Sequence, residues 1–158
     1  MANWCSNTVW FTGEPHQVKG LRMLFREMAI KEKQEDRGQL PSFMKDEKDW
    51  FFNIECDGEM VHYETRWSPN VGVLKQVADH YGSGFHLYYC ETGNLVYGEA
   101  TYTSGELNDI SLEPGDFDLY AYEEDKDEYL FEGDSYGSSE DIMEILLERK
   151  KRETAKAS

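Results

Sequence analysis

In the run VHYETR, residues 61 to 66, His62, Glu64 and Arg66 stand at every second position. On an extended strand that spacing sends all three to one face, opposite Val61, Tyr63, Thr65 and Trp67. His86, in FHLYYCE, falls on the same face of a neighbouring strand, alongside Tyr88 and Cys90. An imidazole beside a carboxylate and a guanidinium makes the best acid–base or ligand constellation in the chain. The competing reading is a solvated sheet face carrying cross-strand charge pairs. A ligand site on this face requires later chain to fold back over it and leave a cleft.

Other reactive side chains are less well placed. Cys5-Ser6-Asn7, within ANWCSNTVWF (residues 2 to 11), offers a thiol and a hydroxyl. A nucleophilic cysteine needs a base in reach or a depressed pKa. Alternation instead sends Cys5 inward with Val9 and Phe11, as a structural thiol. The three cysteines (Cys5, Cys56, Cys90) and four histidines (His16, His62, His80, His86) show no C-x-x-C or H-x-x-x-H pairing, so no metal site is expected. The run EEDKDE, residues 123 to 128, lacks the central glycine of a calcium loop. No glycine-rich phosphate loop, G-x-S-x-G elbow or H-E-x-x-H motif occurs. The sequence therefore assigns no catalytic residue and no cofactor.

Charge is the strongest compositional signal. The chain has 158 residues and a net charge of −16. Sixteen acids against one base lie between Glu106 and Glu148, whereas Arg149 to Ser158 hold five bases and one acid. Such a surface repels a phosphate backbone, which disfavours direct nucleic-acid binding. It suits a basic protein partner, with Glu123, Glu124, Asp125, Asp127 and Glu128 as the acidic docking surface. No apolar run is long enough to cross a membrane, and no basic-then-apolar leader opens the chain. Odd, widely spaced cysteines fit free thiols in a reducing cytoplasm.

The elements that position these residues follow from periodicity. Cys5 to Thr12 reads as a strand. Glu14-Pro15 opens a helix whose stripe is Val18, Leu21, Leu24, Phe25 and Met28, and whose periodicity fades into a charged loop or frayed end at residues 31 to 42. Trp50 to Cys56 and Met60 to Trp67 flank Asp57-Gly58 as a hairpin with a type I′ turn. Ser68 caps a second helix with Pro69 at its first position and Gly82 at its C-terminal cap. Phe85 to Glu91 and Leu95 to Thr103 are strands, with a turn at Ser104-Gly105. Beyond it Phe117, Leu119 and Ala121 line a strand, and Ser138 or Ser139 caps a last helix. That helix has Ile142, Ile145 and Leu146 inward and Arg149 to Arg152 at its C-terminal dipole. The order strand, helix, strand, strand, helix, strand predicts an α+β fold. It is the ferredoxin-like βαββαβ two-layer sandwich, an antiparallel sheet with two helices on one face. Residues 1–105 form this core. Residues 106–158 form an acidic C-terminal β/α extension that ends in a helix and packs on the same single domain.

NWCSN, VWFTG, TRWSPN and YYCETGNLVYGEA together resemble the YubB-type ferredoxin-like domain family of bacterial plasmids, phages and conjugative elements. The resemblance runs from Ala2 to about Thr103, roughly two thirds of the chain. It implies the fold and a mobile-element origin, and carries over no catalytic residue. Asn70 stands where family members often have proline. The expected function is that of a non-enzymatic accessory protein of a bacterial mobile element. It would bind a basic host or element-encoded protein in the cytoplasm through an acidic surface, with DNA mimicry as the specific form. The alternative is a small-ligand binder or enzyme using His62, Glu64 and Arg66. A third option is a homo-oligomer formed through the sheet face that bears Trp10 and Tyr88.

Overall fold

Alternation appears directly as burial in the structure, a computed structural model that describes residues 3–157. Met1, Ala2 and Ser158, which fall within the segments delimited above, lie outside the described residues. In β1 (Trp4–Thr12) Cys5, Asn7, Val9 and Phe11 are buried, whereas Trp4 and Ser6 are exposed and Thr8 and Trp10 half-buried. The next elements are α1 (Pro15–Glu35), β2 (Phe52–Asp57), β3 (Met60–Arg66), α2 (Val71–Tyr81) and β4 (Gly84–Glu91). Then follow β5 (Val96–Thr103), β6 (Glu106–Ser111), β7 (Ala121–Glu123), β8 (Glu128–Phe131), β9 (Asp134–Tyr136) and α3 (Ser139–Ala157). The main sheet is antiparallel throughout, in the order β2-β3-β1-β4-β5-β6, and β7-β8-β9 form a small second sheet. Val9 on central β1 sits opposite Val61 and Leu87.

One face of the main sheet is dry. Leu21, Phe25 and Met28 of α1 and Val73, Leu74, Val77 and Ala78 of α2 pack there against Val9, Phe11, Val61, Tyr63, Phe85 and Leu87. A second core lies apart from it. Ile142, Met143, Leu146 and Leu147 of α3 meet Leu112 and Phe131, with Tyr97 and Ile110 packed alongside. Tyr97 alternates with the first-core residues Ala100 and Tyr102 on β5, so α3 covers the opposite face of the sheet at its β5–β6 end.

Several local expectations are corrected. The charged run 31–35 continues α1 as helix, since Lys, Glu and Gln are good helix formers. The helix stops at Asp36, whose φ of 53° is left-handed and whose N–H donates to Glu32 O at 2.8 Å. Glu32 explains why that last turn is needed. Its carboxylate accepts from Asn53 N at 2.6 Å and from Ile54 N at 2.9 Å, two N–H groups left without ladder partners by the bulge between Phe52 and Glu55. Glu32→Ala is expected to lower stability by about 1–2 kcal/mol, since it strands those donors. Urea denaturation checks this, and an unchanged midpoint would show that solvent serves the bulge equally well.

Strand β2 begins at Phe52 rather than Trp50. The β2–β3 loop is Gly58-Glu59, because Asp57 pairs with Met60. Only Gly58 has positive φ (59°), so the turn has the type II′ pattern and not the expected I′. Helix α2 starts at Val71 with Asn70 as its cap, two residues later than Ser68 suggested. Trp67 adopts φ 68°, which breaks the strand alternation and leaves the ring 51% exposed instead of in the core. Phe117 lies in a 3₁₀ turn over Pro114–Asp118 and Leu119 caps it, so strand begins only at Ala121.

Candidate functional site

The stretches NWCSN and TRWSPN meet in space. Asn7 is 1% exposed, and its Nδ2 donates to Cys5 O at 3.0 Å and to Thr65 Oγ1 at 2.9 Å. The Thr65 hydroxyl donates to Ser68 O at 2.7 Å. Tyr63 OH donates to Asn70 Oδ1 at 3.0 Å, and Asn70 Nδ2 donates to Asp49 O at 3.0 Å. This chain of bonds fixes the step from β3 into α2. It uses Asn7, Thr65 and Asn70 as scaffold. Cys5 beside it is fully buried, and burial pushes its thiol up to about 11, so the nucleophilic thiolate is disfavoured. Burial likewise pushes Cys90 up to about 11.

The opposite face of the sheet carries the expected ligand residues, each already engaged. His62 Nδ1 lies 2.9 Å from Thr8 Oγ1. Glu64 accepts from Asn53 Nδ2. The Arg66 guanidinium lies over Phe52 at 5.0 Å and Trp4 at 5.9 Å. His86 stacks on Trp10, with ring centroids 5.0 Å apart. His62 and His86 lie on strands flanking β1 from either side, so the structure does not bring them together. Arg66 also borders an open depression of about 640 Å³ whose walls include Trp4, Glu32, Arg37, Asn53 and Glu55. Its acids and bases alternate, which gives it no dominant sign.

Glu99 is the residue that the sequence reading missed on this face. It is 6% exposed on β5, and His86 Nδ1 lies 3.8 Å from its Oε1. Lys151 of α3 brings Nζ to 2.7 Å from Oε2. Its position in YGEATY, alternating with the inward Ala100 and Tyr102, could have placed it on the His86 face. Nothing in the sequence indicated that a lysine 52 positions later would reach it.

The basic run 149–152 does not cap a helix end, as expected, because α3 continues to Ala157. Its cations fasten α3 to acids across the chain. Arg149 grips Glu132 through two bonds of 2.6 and 2.9 Å, and Lys150 lies 2.7 Å from Asp116. The bond from Arg149 holds the Glu132 carboxyl below its ordinary 4.5. Burial, the largest single effect, would raise Asp116, but the bonds from Lys150 and from Glu113 N together with the Lys150 charge outweigh it and hold the carboxyl below 3.8. A depressed carboxyl pKa supports the fold above its unfolded value and loses that support as pH falls through the folded value. Stability should therefore decline as pH drops from about 4.5. Asp116→Asn combined with Glu132→Gln should make that decline shallower in melting temperatures taken across pH. An equally steep decline in the double variant would contradict these two pairs as its origin.

The acids expected to dock a partner form the β7–β8 hairpin. Tyr122 OH donates to Asp127 Oδ1 at 2.6 Å, and Lys126 lies 3.5 Å from Glu123. Among the described residues no ion pair engages Glu124, Asp125 or Glu128. Glu124, Asp125 and Asp127 are exposed, and Glu123 and Glu128 half-buried. No group of three or more metal-ligating side chains converges among the described residues. No helix there is long and apolar enough to cross a membrane.

No curated protein and no solved structure matches the chain at a significant level. A family model, the ferredoxin-like domain in Api92-like protein, matches residues 44–132. The matched segment leaves out β1 and α1 and runs through the acidic hairpin to Glu132. It spans more than half of the chain, and the protein belongs to this family of ferredoxin-like domains.

Proposed function

We propose that this protein acts by binding a basic protein partner through the acidic β7–β8 hairpin. The observation that supports the reading most is the fate of the nearby cations. Arg149, Lys150 and Lys151 are spent on Glu132, Asp116 and Glu99 inside the fold. The hairpin acids Glu124, Asp125 and Glu128 keep their field outward, where it steers an oppositely charged partner and weakens with salt. In the finer reading the first 105 residues are a YubB-type βαββαβ sandwich and residues 106–158 an acidic extension on it. The element order and the sheet order support this. Three free thiols suit a reducing bacterial cytoplasm, and the family resemblance favours a mobile-element accessory role. The small-ligand or catalytic alternative has weaker support, since His62, Glu64 and Arg66 each have intramolecular partners.

DNA mimicry is the specific form of the proposal. The test is competition: a basic duplex-binding protein holds a fluorescent DNA duplex, and this protein is titrated in. Release of the duplex is expected, lost when Glu123, Glu124, Asp125, Asp127 and Glu128 are replaced by their amides. Failure to release any duplex would rule out the mimicry form.

A further inference from the structure

The two edges of the main sheet differ. At β2 the bulge and the Glu32 carboxylate, which takes the Asn53 and Ile54 N–H groups, close the edge. At β6 the register with β5 is unbroken, the strand holds no proline, lysine or arginine, and all of it except Ile110 is exposed. Among the described residues only β5 pairs with it. The Leu112 N–H donates to Tyr97 O at 2.9 Å, and antiparallel alternation then turns the main-chain groups of Ile110, Asn108 and Glu106 towards β5. The N–H and C=O groups of Leu107, Asp109 and Ser111 point away from the sheet, as a row of donors and acceptors at every second residue.

The side chains of these three residues share the helix-bearing face, since Asp109 sits opposite Ala100 and Leu107 opposite Tyr102, both in the first core. Tyr89 of β4 fixes Asp109 there. Its hydroxyl passes over Gly98 of β5, where a Cβ would collide with it, and donates to the Asp109 carboxylate. Tyr89 brings no charge, and among the described residues no ion pair engages Asp109 or Glu106. On the same face an open depression of about 370 Å³ is bordered by Asp109, Ser111, Tyr89, Val96, Pro69 and Val71. Apolar walls beside a carboxylate suit the methylene stem and charged head of a lysine or arginine.

We propose that β6 accepts one further antiparallel strand from a partner segment containing lysine or arginine, with a basic residue opposite Asp109 and its stem in the depression. Main-chain bonds would give the affinity and the depression the selectivity. Charge selects the occupant. A second copy paired through β6 in full register would set Asp109 directly against Asp109, which repels, whereas a basic residue there attracts. The inference rests on the basic-partner reading above and adds the conformation in which the partner is held.

The test titrates a fluorescent Thr-Lys-Thr-Lys-Thr-Lys-Thr peptide into the full chain. With lysine opposite Asp109 in antiparallel register, lysine N–H groups face β6 and threonine N–H groups face solvent. Backbone N-methylation of the middle lysine is therefore expected to weaken binding about fivefold, the loss of one main-chain hydrogen bond. N-methylation of the next threonine, at identical peptide charge, should leave affinity within about twofold. Leu107→Pro deletes an outward N–H, spares the β5–β6 ladder and should also weaken binding about fivefold. Asp109→Asn keeps an acceptor for Tyr89 and should weaken it about threefold. Circular dichroism verifies both folds, and the methylated peptides need neither variant. Equal affinities of the two methylated peptides, with binding abolished by the hairpin amides, would overturn this inference and leave the hairpin reading standing. A lysine-selective methyl effect, with the hairpin amides neutral, would support the edge and remove the hairpin. No binding of the unmethylated peptide would overturn the inference. Sedimentation showing a dimer that Leu107→Pro disperses would also overturn it, by seating a second copy on the edge.

Discussion

Tyr63→Ala should destabilise the protein by about 3–5 kcal/mol, because it removes a packed ring and a buried hydrogen bond together. Tyr63 is fully buried. Its ring meets Phe51 at 4.7 Å and Phe25 at 6.5 Å, joining β3 to α1 and to the segment before β2. Its hydroxyl holds Asn70, the cap of α2. Alanine therefore opens a cavity under both helices and strands Asn70 Oδ1. Tyr63→Phe separates the two effects. It keeps the ring and should cost only about 1–3 kcal/mol, the penalty of one unsatisfied buried acceptor. Chemical denaturation of both variants checks this. Equal losses would mean that the hydroxyl, and not the packing, dominates.

Ile142→Ala should cost about 2–5 kcal/mol, and the loss should be local. Ile142 is fully buried among Met143, Leu146, Leu112 and Phe131, in a core that shares no residue with the one under α1 and α2. Hydrogen exchange should show faster exchange in α3, β8 and β9, with amides of β1, β3 and β4 still protected. Uniform acceleration across both cores would contradict two separable cores and show one cooperative unit.

Much of the main sheet was legible. Two-residue alternation placed Cys5, Val9, Phe11, Val61, Tyr63, Phe85 and Leu87 inward, and three- and four-residue spacing placed Leu21, Phe25, Met28, Leu74 and Val77 against them. Gly82 and the Ser104-Gly105 turn were legible because positive φ selects glycine. Trp67 was misplaced because a tryptophan in the left-handed region leaves no periodic trace. The start of α2 was misplaced because Ser68-Pro69 is a plausible cap, while Asn70 is held by tertiary bonds to Tyr63 and Asp49. Helix α1 ran longer than its apolar stripe because Glu32 serves a bulge 21 residues away, a need invisible to local pattern. On the candidate face, His62, Glu64, Arg66 and His86 were correctly sided by alternation. Their engagement by Thr8, Asn53, Phe52 and Trp10 depends on strand order, which alternation does not encode. The same is true of Lys151 and Glu99. The surplus of acid between Glu106 and Glu148 and the base that follows it were plain in the sequence. That the base is paired, among the described residues, with Glu99, Glu113, Asp116, Glu132 and Glu148 required the fold.

The most direct measurement is the affinity of a fluorescent dodecapeptide of alternating arginine and serine at ionic strengths of about 0.05 and 0.5 M, across which screening shortens from about 14 to about 4 Å. Three proteins are compared: the natural chain, the variant with amides at Glu123, Glu124, Asp125, Asp127 and Glu128, and a variant with amides at five exposed acids elsewhere, Glu27, Asp46, Glu47, Asp57 and Glu59. The account predicts steep weakening with salt and a loss of about tenfold or more confined to the hairpin variant. Equal affinities in the two charge-matched variants would contradict it, because net charge rather than a built surface would then carry the binding.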